Sequence, residues 1–229
     1  MTGIITAMNC EAAYLESVMK DTAKKKIGAW EFTTGKIGST QLVLAVCGIG
    51  KVFAGSCAQT MITSFGCTHI FNVGVAGSLD PKVKIGDIVC AAAAVQHDMD
   101  TSAIGDPIGL ISGIDLVELP CDEAFAAEFE QFLAGQGKAL CKGIIATGDK
   151  FIKLGADKKF IADTFGACAC EMEGGAVAQI CCANGVKCSV IRIITDNADE
   201  SSGEQYTVNL DECAVSLADL FAKYLTSRG

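Results

Sequence analysis

The chain has 229 residues, half of them hydrophobic, which is enough for one large domain with a core of its own and gives no reason to divide residues 1–229. Its formal charge of −9 argues against a nucleic-acid partner, because the densest basic cluster is only Lys24-Lys25-Lys26. No apolar run reaches the roughly eighteen residues of a membrane span, and Met1 leads into a short apolar segment without a basic stretch, so a cytoplasmic protein with no membrane contact is expected.

Apolar segments of strand length recur at residues 3–8, 41–47, 69–73, 87–95, 143–147, 167–170 and 187–195. Helix-like stretches at 11–20, 52–65, 123–134, 156–165, 175–182 and 211–225 alternate with several of them. The last helix carries Leu217, Phe221 and Tyr224 at three-to-four spacing, with Asp211 and Glu212 in its first turn. Strands apolar on both faces, alternating with helices, predict a three-layer α/β/α domain with a mixed, largely buried sheet. In such sheets ligands collect where strands end and loops begin. The thirteen cysteines are odd in number and none shows Cys-x-x-Cys spacing, so they read as small core residues. His97-Asp98-Met99-Asp100 is the one metal-like cluster, and with two histidines in the chain neither a metal nor another cofactor is expected.

The polar residues of interest fall at strand ends. Glu11 follows the first strand and opens a helix. Gly48-Ile49-Gly50-Lys51 and Gly74-Val75-Ala76-Gly77-Ser78 follow two others; both read first as tight turns, and the former fails the dinucleotide pattern because Phe53 occupies the third glycine position. Thr147-Gly148-Asp149-Lys150-Phe151-Ile152 places an aromatic just past a strand, either a core residue or a platform for a flat heterocycle. In Cys170-Glu171-Met172-Glu173-Gly174-Gly175 two carboxylates share a face if the strand continues through them, an arrangement that suits a cation, a vicinal diol or a solvated charge pair. Finally, Val190-Ile191-Arg192-Ile193-Ile194-Thr195-Asp196 buries a guanidinium in an apolar run. That guanidinium needs an anionic or polar partner, which Asp196 alone cannot be, at roughly 13 Å along an ideal strand.

Together these segments resemble the nucleoside phosphorylase/nucleosidase superfamily, and more closely its hydrolytic 5′-methylthioadenosine/S-adenosylhomocysteine nucleosidase branch. The resemblance runs over nearly the whole chain through residues 3–8 with Glu11, Gly48 to Lys51, Gly74 to Gly77, Gly86-Asp87-Ile88-Val89, Gly148-Asp149 with Phe151-Ile152, Glu171 to Glu173, and Arg192 with Asp196. It implies a partly barrel-like sheet, hydrolysis of the N-glycosidic bond of 5′-methylthioadenosine, S-adenosylhomocysteine or 5′-deoxyadenosine, and a homodimer. It also implies roles. Asp196 donates a proton to the purine, Glu11 polarises the attacking water with help from Arg192, Glu173 holds the ribose hydroxyls and Met172 packs beneath the sugar. Phe151 stacks on the base, the Ile152 backbone reads its edge, and Met8, Ile49, Val75, Ala76 and Gly77 complete the substrate wall.

Phosphorylases of the superfamily bring an arginine and a serine to phosphate where this chain has Asn72 and Val75, so water is the expected nucleophile. Three positions depart from the nucleosidase pattern: Val75 replaces a common serine, Ile104 replaces a common aromatic, and residues 200–209 read as a lengthened loop with Tyr206 in place of a phenylalanine. Ile104 and Tyr206 are the candidates for the pocket around the 5′ substituent. The alternatives are a purine nucleoside phosphorylase, another purine nucleosidase such as a futalosine hydrolase, and a non-catalytic nucleoside-binding protein.

Overall fold

Neighbouring apolar residues on one strand point to opposite sides of the sheet, and this sets the layering. The computed structural model describes residues 1–228, and among them it contains ten strands and six α-helices. On β1 (Thr2–Thr6), β5 (His69–Ser78) and β10 (Lys187–Asp196), Ile4, Phe71 and Ile191 enter one core while Ile5, Ile70 and Val190 enter another. The first core is covered by α1 (Asn9–Val18), α3 (Glu123–Gly135) and α6 (Ser202–Ser227), the second by α2 (Lys51–Phe65) and α5 (Gly174–Asn184). A smaller third cluster forms under α4 (Gly155–Phe165). The expected three layers are present, and Cys57, Cys67, Cys181 and Cys188 are core residues as expected.

The sheet is mixed and partly closed. β10, β6 (Ile88–Gln96), β8 (Leu140–Thr147), β9 (Ala167–Glu171) and β5 follow one another, and β10 pairs back onto β5, which makes a five-stranded barrel-like ring. An open wing leaves β5 through β1, β4 (Thr40–Val46), β3 (Trp30–Ile37) and β2 (Lys20–Ile27), and the short β7 (Leu119–Pro120) pairs with β6. Where the ring turns its corner, the carboxyl ends of β5 and β9 meet at Gly77 and Cys170. No helix among the described residues is long and apolar enough to cross a membrane.

Three departures from the sequence reading have physical causes. β2 is a strand although nearly all of it is exposed; Lys24, Lys25 and Lys26 lie on an edge, where lysines deter pairing with another chain. β5 runs on through Gly74–Ser78, because these glycines pair with β10 instead of turning. The stretch 202–209 is the start of α6, not a loop, and the turn before it is fastened by the Asp199 N–H donating to Ser202 Oγ (2.6 Å).

Candidate active site

Glu11 stands at the third position of α1, and its carboxylate folds back over the helix start. Its Oε2 accepts from the N–H groups of Ala7 and Met8, each at 2.9 Å, and its Oε1 accepts from the Val75 N–H at 3.1 Å. Space for this comes from Gly74, where a Cβ would lie 2.6 Å from Glu11 Oε1. Glu11 is 3% exposed, and burial pushes its carboxyl above the ordinary range despite Arg192 and the three N–H donors. Oε1 retains a lone pair for a further donor.

Arg192 finds its counter-charge in Glu171. The guanidinium is 1% exposed; Nη2 donates to Glu171 Oε2 and to Asn72 Oδ1, and Nη1 donates to the carbonyls of Asn72 (2.9 Å) and Ile191 (3.0 Å). Glu171 in turn accepts from the Thr147 hydroxyl on Oε1, and on Oε2 from the N–H groups of Glu173 (3.1 Å) and Gly174 (2.7 Å). β9 ends at Glu171 and α5 begins at Gly174, so the strand does not continue through both carboxylates, the condition for a shared face is not met, and they diverge. Glu173 turns the other way, where its Oε1 accepts from the Gly50 N–H at 2.8 Å. The turn at Gly50 thus orients a carboxylate. Burial and the neighbouring Glu171 charge hold the Glu173 carboxyl above its usual range.

Asp196 ends β10 after a break in register between Ile194 and Asp196, so the strict alternation from Arg192 does not reach it. Its Oδ1 accepts from the Ala198 N–H at 2.9 Å and its Oδ2 from the Thr195 hydroxyl at 3.0 Å. Ala198 is buried with φ of 51°, a left-handed conformation unfavourable for alanine by about 1–2 kcal/mol. The turn that aims Asp196 stores that cost. Gly77 makes room for it, since a Cβ there would lie 2.9 Å from Asp196 Oδ1.

These side chains converge on a cavity of about 400 Å³, large enough for a nucleoside. Glu11, Asp196, Glu173 and Met172 line it, as do Phe151 and Ile152 from the segment after β8. Met8, Ile49, Val75, Ala76, Gly77 and Tyr206 complete the sequence-derived set on its wall. Two residues of that set lie elsewhere. Arg192 sits behind the wall under Glu11 and Glu171, and Ile104, in a single 3₁₀ turn at Ser102–Ile104, is 81% exposed and reaches no part of this cavity within one chain. The sequence reading missed Thr147 and the pairing role of Glu171, and it gave no part to Lys150, which also lines the cavity. A buried arginine requires a carboxylate, and that requirement was the signal for Glu171.

A family model of the Phosphorylase superfamily matches residues 2–227. The chain belongs to the phosphorylase superfamily. An aminodeoxyfutalosine nucleosidase of Helicobacter pylori is 36% identical over 226 residues, spanning 98% of this chain and 96% of the relative. A 5′-methylthioadenosine/S-adenosylhomocysteine nucleosidase of Mycobacterium bovis is 33% identical over 245 residues, spanning 97% and 96%. In shape, a Helicobacter pylori MTAN mutant with 5′-methylthioadenosine in the active site superposes with a TM-score of 0.95 at 33% identity, covering 99% of this chain and 98% of its own. Within the superfamily the chain stands with the nucleosidases and is an N-glycosyl hydrolase.

The pairing makes Glu171→Gln a sharp test of the site's frame. The substitution keeps an acceptor but removes the carboxylate bonded to the buried Arg192, so unfolding in urea should show a loss of about 3–5 kcal/mol. A loss below about 1 kcal/mol would mean that Arg192 is neutralised by another group.

Proposed function

We propose that this enzyme hydrolyses the N-glycosidic bond of adenine nucleosides modified at the 5′ position, with 5′-methylthioadenosine and S-adenosylhomocysteine as substrates. The observation that carries this is the convergence of Glu11, Glu173 and Asp196 on one nucleoside-sized cavity, with Arg192 behind its wall locked to Glu171. A purine anion is a poor leaving group, so a positioned acid is needed. Asp196 supplies it at the base end, and Thr195 helps: its hydroxyl lies within reach of both Asp196 Oδ2 (3.0 Å) and the Ala76 carbonyl (3.3 Å). Turned to the carbonyl, it leaves Oδ2 free to carry the proton that passes to the base; turned back, it donates to the carboxylate left after transfer.

Departure of the base leaves an oxocarbenium-like ribose, and water completes the reaction. Glu11 Oε1 holds that water, while Arg192 acts through Glu11 and Glu171 as a positioning residue. The free Oε2 of Glu173 accepts from the ribose hydroxyls, Met172 packs under the sugar, Phe151 stacks on the base and the Ile152 backbone reads its edge. Two copies associate on this reading, and the exposed Ile104 segment meets the neighbour's cavity. A second reading, cleavage of aminodeoxyfutalosine, is favoured by the 36% identity to the nucleosidase of that name.

Two measurements test the reading. Wild-type enzyme should release adenine from 5′-methylthioadenosine, and Asp196→Asn should bind the nucleoside while turnover falls by at least about 100-fold; retention of more than about a tenth of turnover would place the acid elsewhere. The pH profile tests Glu11. Because the base works ionised and its carboxyl is raised, kcat/KM should fall on acidification with a midpoint above 4.5, the ordinary value. An acid limb at or below 4.5 would remove Glu11 from the chemistry.

A further inference from the structure

The Asn197 carbonyl and the Ala198 N–H belong to one peptide unit in the strained turn after β10, and that unit is held at both ends. Its N–H donates to Asp196 Oδ1 at 2.9 Å, and its carbonyl accepts from Lys158 Nζ at 2.6 Å. Ala198, buried with φ of 51°, fixes the tilt of the peptide. The groups on either side are tied as well: the Asn197 N–H donates to Gln205 Oε1 at 3.0 Å, and Glu200 Oε1 accepts from the Gly155 N–H at 3.2 Å, where α4 starts. Lys158 is the fourth residue of α4, a place where the helix dipole disfavours a cation. The two carboxylates of its own helix are occupied, Asp157 by Lys150 and Asp163 by Lys159, and the half-buried ammonium of Lys158 goes to the Asn197 carbonyl instead. A residue set against its local preference and aimed at the turn of the acid has a reason to be there.

We propose that Lys158 is a positioning residue for the acid, acting on Asp196 through the peptide between Asn197 and Ala198; this rests on the nucleosidase reading above. In that reading Asp196 passes its proton to the purine as the glycosidic C–N bond breaks and the bonding electron pair leaves with the base. The new negative charge stays on Asp196, against the Ala198 N–H. An ammonium on the carbonyl of the same peptide polarises the unit, so its N–H is a stronger donor to the carboxylate as that charge forms. Lys158 also keeps the turn in place. Relaxing Ala198 out of its left-handed conformation would rotate the peptide and break both bonds, so the ammonium opposes the release of that strain.

The test compares wild type with Lys158→Met, which keeps a long side chain without the donor, and Lys158→Arg, which keeps a charged donor. Adenine release from 5′-methylthioadenosine is followed in single turnovers, so that the rate reports bond cleavage, and affinity is read from the dependence of that rate on enzyme concentration. Lys158→Met should slow cleavage at least about fivefold while affinity changes less than about twofold, because the groups read as holding base and sugar are untouched. Lys158→Arg should recover at least about half of the wild-type rate. A smaller loss in Lys158→Met overturns this inference alone, as does an equal loss in both variants or a loss of affinity that matches the loss of rate. Failure of wild type to release adenine overturns the nucleosidase reading, and this inference with it.

Discussion

A guanidinium with 1% of its surface exposed has to be neutralised inside the protein, and the pair between Arg192 and Glu171 organises everything around it. Four strands of the closed ring meet at that pair. β10 supplies Arg192, β5 supplies Asn72, β9 supplies Glu171 and β8 supplies Thr147. Glu171 also binds the first N–H groups of α5, which ends the strand and swings Glu173 toward Gly50 and the cavity. The Thr147 hydroxyl accepts from the Gly175 N–H at 2.6 Å, so the same network fixes the point from which the segment carrying Phe151 departs. One buried charge pair therefore sets the directions of two groups that line the cavity, Glu173 and Phe151.

The chemistry follows from how the remaining carboxylates are treated. Glu11 and Asp196 are buried alike, yet Glu11 receives three backbone N–H donors and faces Arg192, whereas Asp196 receives one N–H and a hydroxyl that can reverse its role. The fixed donors at Glu11 offset part of the burial that raises its carboxyl. Gly74 and Gly77 are what allow both to approach β5, which is why a strand interior tolerates two glycines there.

Much of this was legible in the sequence because strand ends and glycines are local signals. The run at 187–195 announced a buried strand, Arg192 announced a missing partner, and Glu11, Glu173 and Asp196 fell at the ends where a parallel sheet places ligands. Glu171 was harder. Its pairing depends on the strand stopping at that residue, and spacing alone left Glu171 and Glu173 on one face. Residues 200–209 read as a lengthened loop, but α6 begins at Ser202 and Tyr206 in its first turns packs against Phe151 and Met8. The β2 edge carries no apolar pattern at all, so only its pairing with β3 reveals it.

With Arg192 bound to Glu171 behind the wall, the one cation lining the cavity is Lys150, itself exposed and paired with Asp157, and water attacks the sugar even when phosphate is abundant. The most direct measurement is the source of the new oxygen: react 5′-methylthioadenosine in oxygen-18 water with saturating phosphate and analyse the sugar by mass spectrometry. The account predicts free methylthioribose with one labelled oxygen at its anomeric carbon. Methylthioribose 1-phosphate, unlabelled, as the main product would contradict it.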